Sequence, residues 1–135
     1  MDSDQALRAK LSTTSGITAL CSTRIYPIDL PQDTTLPAVT YQIISAVIES
    51  NHGETVVSSL AHAVYQIDAW AATYAEAVAL ARQIHLALHT FRGAIVLGTE
   101  TFAVLLCLRT AKRPNKDPEV GLYWISQDYE IWYRE

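Results

Sequence analysis

Residues 64–77 leave this chain little freedom. Val64, Tyr65, Ile67 and Trp70 favour extended backbone. Side chains alternate across a strand, so Gln66, Asp68 and Trp70 share one face while Tyr65, Ile67 and Ala69 share the other. Two residues after this run, Thr73 stands where it can cap a helix, with Glu76 placed to complete a capping box. The stripe Ala77, Leu80, Ala81, Ile84, Ala87, Leu88 and Phe91 then recurs at helical spacing, predicting a helix over 73–91 with one apolar face. Arg82, Gln83, His85 and His89 fall outside that stripe. A strand therefore passes almost directly into an amphipathic helix.

The flanking segments extend the pattern. Asp4 is placed to cap a first helix carrying Ala6, Leu7, Ala9 and Leu11, interrupted at Gly16 and continued for one turn over 17–21. Pro27, Pro31 and Pro37 make 24–37 an irregular, stiff connector. Alternation predicts a strand over 38–48, and Asn51, His52, Gly53 and Glu54 supply turn chemistry after it. A third strand spans 99–111, with Phe102, Val104, Leu106 and Leu108 expected on one face. Residues 113–118, with Pro114 and Pro118, read as a loop, and a long aromatic strand follows over 120–133. This order predicts an α+β fold: a largely antiparallel sheet of about four strands, two main helices on one face, and long loop or hairpin extensions. At 135 residues, one domain over 1–135 is expected.

Composition narrows the function classes. Half the residues are hydrophobic, enough for a core without disulfide or metal support. Ten basic residues against fourteen acidic ones give a net charge of −4, which argues against a duplex-binding face. The one basic cluster is Arg109, Lys112, Arg113 and Lys116, whose simplest reading is a solvated loop. Cys21 and Cys107 suit buried core thiols better than a disulfide framework. No apolar run reaches the roughly 20 residues of a membrane span, and the N-terminus lacks signal-peptide features. A soluble protein of a reducing cytoplasm, without a membrane partner, is expected.

Chemistry-bearing constellations are sparse. His85 and His89 stand four apart on the helix and could reach one metal ion, but Leu86 occupies the place of a zincin glutamate. Asp68 could serve as a general base, yet its strand face offers only Gln66 and Trp70 as neighbours. A structural acid, accepting from backbone or from an arginine such as Arg24 or Arg134, is the better account, because a buried carboxylate must be paired. Asp128 and Glu130 share a face of the last strand, where a solvated surface is the usual reading. There is no nucleophile elbow and no phosphate-binding glycine loop. The aromatic residues Tyr123, Trp124, Tyr129, Trp132 and Tyr133 lack interleaved basic residues, which favours core and subunit packing over base stacking. No enzyme, cofactor or metal site is expected.

Several phrases resemble a known family. Gln66, Asp68, Trp70 and Ala71, followed by Thr73, Tyr74, Glu76 and Ala77, are similar to a segment of the phage tail completion proteins, also called tail terminator or head-to-tail joining proteins. Ala6-Leu7-Arg8, Arg24-Ile25-Tyr26-Pro27, Leu36 to Tyr41, Gly121-Leu122-Tyr123 and Ile131 to Arg134 resemble other family phrases, in the family's order. The resemblance implies a structural virion protein, assembled in the host cytoplasm, that caps the tail tube as a homo-oligomeric ring, generally of six copies. It implies contacts with the tail-tube protein and the head-tail connector, with DNA passing through unbound. A head-side connector or stopper is the alternative within that class, and a small metal-dependent enzyme the alternative outside it. On this reading two loops, 49–59 with Asn51, His52, Gly53 and Glu54, and 112–119 with Arg113, Asn115, Lys116 and Asp117, are candidates for reaching axial neighbours and ordering on docking. Asp128 and Glu130 become candidates for lumen-facing acids that repel phosphate.

Overall fold

The computed structural model describes residues 1–49 and 60–134. Its elements in order are α1 (Ser3–Thr13), α2 (Ser15–Cys21), β1 (Ile25–Pro27), β2 (Ala38–Glu49), β3 (Leu60–Ala71), α3 (Tyr74–Leu88), β4 (Gly93–Leu97), β5 (Glu100–Asp117) and β6 (Leu122–Arg134). The strands form one sheet in the order β1-β2-β3-β6-β5-β4. Every described pairing is antiparallel except β1 with β2, which is parallel. The α+β expectation holds, with six strands rather than about four. The two unforeseen strands are β1, inside the proline-rich connector, and β4, directly after α3.

The central strands follow the alternation of the sequence. Along β3 every second residue, from Ala61 to Ala71, is buried beneath the helices. Along β6 the matching row is Ile125, Gln127, Tyr129, Ile131 and Tyr133. The α3 residues Ala77, Leu80, Ala81, Ile84 and Leu88 meet these rows. Thr73 caps α3 as expected: its Oγ1 accepts from the Glu76 amide at 3.2 Å and donates to Glu76 Oε1 at 3.1 Å. The helix ends earlier than the apolar stripe suggested. Thr90 adopts φ +64°, and its amide donates to Cys107 O, turning the chain toward β5 and leaving Phe91 to pack on the core from outside the helix.

The N-terminal helices differ in detail from expectation. Asp2, not Asp4, is the N-cap of α1, accepting from Gln5 N at 2.9 Å while its own amide donates to Gln5 Oε1 at 3.1 Å. Asp4 instead accepts from the buried Tyr65 hydroxyl at 2.6 Å. Since that hydroxyl has a single proton, Ser3 Oγ, also at 2.6 Å, must donate to it. These bonds tie α1 to the central strand. The break between α1 and α2 falls at Thr14, whose ψ of 112° leaves the helical region, and Gly16 lies inside α2. There the absence of a Cβ leaves room for the Gln83 side chain of α3.

β5 departs most from the sequence reading. An irregularity between Val104 and Leu106 inserts Leu105, and a one-residue bulge exchanges the two faces of the stretch after it, as far as a second irregularity between Arg109 and Ala111. Phe102, Val104 and Cys107 are therefore the buried row, while Leu106 and Leu108 move to the opposite face. Burial pushes the Cys107 thiol up to about 12. β5 also runs on through Pro114 to Asp117, so the expected loop is a strand, paired residue for residue with Leu122–Gln127 of β6. Proline is tolerated there because no strand covers that length of β5 on its outer side.

A buried amide joins α3 to two strands. Gln127, fully buried, donates from Nε2 to Ala81 O of α3 at 3.1 Å. Its Oε1 accepts from Arg109 Nη1 of β5 and from the Tyr129 hydroxyl, each at 3.0 Å. Replacing Gln127 with leucine strands the buried Tyr129 hydroxyl and should cost about 2–3 kcal/mol, whereas Tyr129→Phe should cost about 1 kcal/mol. Urea unfolding of the two variants checks the difference; equal losses would mean that the amide is not the hub of this network.

Candidate assembly interface

Three helices cover one face of the sheet, and no described helix covers the other. The uncovered face presents His62, Val64, Gln66, Asp68 and Trp70 of β3 beside Trp132, Glu130, Asp128, Ser126 and Trp124 of β6, each pair directly opposite in register. Two aromatic stacks flank a polar centre. Trp70 and Trp124 lie with ring centroids 4.7 Å apart, and His62 and Trp132 with centroids 4.2 Å apart. Trp70 Nε1 also donates to Thr40 Oγ1 of β2 at 2.8 Å, fixing its ring against the sheet.

The polar centre is where the sequence-predicted acids meet. Gln66 Nε2 donates to both Asp68 oxygens at 3.2 and 3.3 Å. Burial pushes the Asp68 carboxyl above its ordinary value, against hydrogen bonds from Ser126 and Gln66 and the charge of Arg113, which pull it down. The arginine of this site is thus Arg113, not Arg24 or Arg134. Arg24 Nε is committed to Pro37 O at 2.9 Å, and Arg134 stands at the far end of β6 opposite Leu60. Arg113 forks onto Asp128 with bonds of 3.0 and 3.1 Å. Asp128 and Glu130 share a face as expected, but Asp128 is neutralised by that pair, which leaves Glu130 as the carboxylate of the two without an ion pair among the described residues.

The four residues expected on a loop are all strand residues. Arg113 lies opposite Ser126, Asn115 opposite Trp124, Lys116 opposite Tyr123 and Asp117 opposite Leu122. Asn115 Nδ2 reaches Ser126 Oγ at 3.3 Å, and Asp117 Oδ1 accepts from the Glu119 amide at 3.2 Å to close the tight turn into β6. This segment pairs within the chain as strand, where the sequence suggested a loop. The other candidates, Asn51, His52, Gly53 and Glu54, lie outside the described residues.

The sheet edges differ in character. Strand β1 covers β2 only at Val39–Tyr41, so among the described residues the rest of β2 has an unpaired outer side. That stretch exposes Ile43, Ile44, Val47 and Ile48, at 46, 52, 44 and 55 % of their surface. On the opposite edge of the sheet, β4 exposes Val96 and Leu97 at 60 and 50 %. These two edges carry six of the twelve large hydrophobic residues exposed among the described residues, too many for scattered surface positions. The outer side of β5 past Arg109 instead carries Lys112, Arg113, Pro114 and Lys116. Charge and proline are the usual means of blocking edge pairing, and residues 43–48 of β2 and all of β4 lack them. Antiparallel registers place the β2 and β4 edges at the same end of the sheet, on opposite sides.

The helix histidines do not converge on a point. The His85 and His89 rings stack face to face with centroids 4.7 Å apart, and His89 Nδ1 accepts from the Arg109 amide at 3.1 Å. Among the described residues no three His, Cys, Asp or Glu side chains group as a metal set, and no helix is long and apolar enough to cross a membrane.

A sequence profile described as Tail completion protein gp17 matches residues 5–134, nearly the whole chain. The chain belongs to the phage tail completion protein family. It is a structural tail component of a phage-type virion. A solved chain from the virion of a native gene transfer agent particle shares its fold, with a TM-score of 0.69 at 16 % identity, over 98 % of this chain and 95 % of that one. No curated protein sequence matches.

Asp68 yields a test of sign. Its folded value lies above its unfolded one, so the folded chain holds the proton longer and stability falls as pH rises through that interval. Asp68→Asn should therefore raise the urea midpoint at neutral pH, and the gain should vanish as pH falls well below the unfolded value of about 3.9, where both states are protonated. A loss of stability at neutral pH would instead make the carboxylate a net structural contributor.

Proposed function

We propose that this protein closes the tail tube as a ring of copies, generally six, and joins the tail to the head connector. Membership of the tail completion family supplies the setting. The observation that carries the ring is the pair of unprotected apolar edges, β2 and β4, on opposite sides of one sheet at the same end. An edge that meets a different edge on the next copy makes a heterologous contact, and such contacts close into rings when the rotation allows. Each large aliphatic side chain removed from water there contributes about 1.5–3 kcal/mol, and backbone pairing sets the register. The uncovered face, with its tryptophan stacks and mixed charge, is then free to meet the stacked ring of tube or connector, or to look into the DNA passage.

Two experiments test this reading. Particles from a virus lacking the gene, viewed by electron microscopy, should show DNA-filled heads separate from tails of abnormal or uncapped length; complete joined virions would overturn it. Lysine at Val47 or at Val96 should abolish ring formation seen by native mass spectrometry while leaving the monomer folded, and rings persisting in both variants would rule out the edge contact.

A further inference from the structure

Between the outer side of α3 and β5 lies a cleft of about 230 Å³ lined by Val78, Ala81, Arg82, His85, Arg109 and Lys112. Its charge is of one sign. Three permanent cations and a histidine line it, and no acid does. Among the described residues none of Arg82, Arg109 or Lys112 joins an ion pair. Arg109 is held from behind by a neutral partner, the Gln127 amide at 3.0 Å, and its own backbone amide is held by His89 Nδ1 at 3.1 Å. The guanidinium is thus positioned without being neutralised, unlike Arg113, which forks onto Asp128.

His85 adds an imidazole to the lining. Its Nδ1 is shut from solvent and bonds to nothing among the described residues. A buried bare acceptor is tolerated more readily than a buried bare N–H, which places the proton of the neutral ring on Nε2, the nitrogen left to meet a ligand. Burial first, and then Arg109, His89, Lys112 and Arg82, hold its ionisation below the ordinary value, and no carboxylate opposes them. The field in the cleft is therefore positive and waiting for an anion.

We propose that this cleft is a socket for a carboxylate, the Asp or Glu side chain of an acidic segment on a neighbouring protein in the assembly. Charge complementarity selects the occupant. Outside the cleft the chain keeps seven of its ten basic residues against fourteen acidic ones, so a nucleic-acid backbone running past the socket would meet net repulsion. A single side chain entering end-on avoids that cost. The space suits one carboxylate and a few waters, each water occupying about 30 Å³. The socket stands apart from the uncovered sheet face and from both apolar edges, and it does not depend on ring closure by those edges. Because a bound anion favours the imidazolium, affinity should rise as pH falls through the His85 titration.

Nuclear magnetic resonance of the isotope-labelled protein, titrated with a short oligoglutamate peptide at low salt, tests the socket. The Arg109 side-chain and His85 ring signals should move together, the His85 titration should shift upward on binding, and affinity should strengthen several-fold between about pH 7.5 and about 5.5. The surface variants Arg82→Gln/Lys112→Gln and Arg82→Glu/Lys112→Glu should each weaken the peptide by about tenfold or more. Unmoved signals, or binding unchanged in the glutamine variant, would overturn the proposal. Inorganic phosphate or a DNA oligonucleotide binding more tightly than the peptide at the same signals would overturn the carboxylate assignment in favour of phosphate.

Discussion

The side-chain amide of Gln127 sits where α3 crosses β5 and β6, and it bonds to all three elements at once. A buried amide with both ends satisfied tolerates little sliding, because any shift leaves a donor or acceptor without a partner in a low-dielectric interior. Apolar packing along Ala77, Leu80, Ile84 and Leu88 would accept several helix positions; the amide selects one. With α3 fixed, His89 meets the Arg109 amide at the edge of β5 and Arg109 meets the cleft. Tyr65 plays the corresponding role for α1 through Asp4 and Ser3. Two polar anchors thus orient the helical layer over an otherwise greasy sheet.

Where alternation ran unbroken, the sequence was a sound guide. The two faces of β3 and the Thr73 cap of α3 lie where the residue pattern places them. The failures have specific causes. β1 is three residues long and exists because β2 pairs with it, a tertiary effect with no local signal. β4 did leave a signal, a short β-preferring run ending at Gly98, whose φ of +64° suits the tight turn into β5. Pro114 looked like a loop residue because proline disrupts central strands, but on an outer strand nothing needs the missing amide, whereas Pro118 does stand in the turn after β5. The alternating row of Ile125, Gln127, Tyr129 and Ile131 placed a glutamine on a buried face, which was the readable clue to the hub.

The candidate site was legible in its members more than in its contacts. Asp68 was recognisable as an unusual strand acid, yet its arginine comes from a strand two places away in the sheet, and sequence spacing gives no access to that distance. Asp128 changes meaning for the same reason, since Arg113 neutralises it. The aliphatic residues of β2 that blurred its alternation, Ile43-Ile44 and Val47-Ile48, turn out to be exposed on an unpaired edge. What looked like an imperfect core strand is an exposed aliphatic edge.

The bulge at Leu105 also sets how this gene can vary. Before it, residues of one parity in β5 point at the helices; after it, the other parity does, until Thr110 marks a second slip. A scan of polar substitutions along the strand should therefore show its sensitive positions changing step twice. A lost codon between the slips would act as a phase error rather than a shortening, turning buried rows outward over the stretch that follows. Insertions and deletions in β5 would then survive only as compensated pairs, giving its length a rigidity that its surface composition does not suggest.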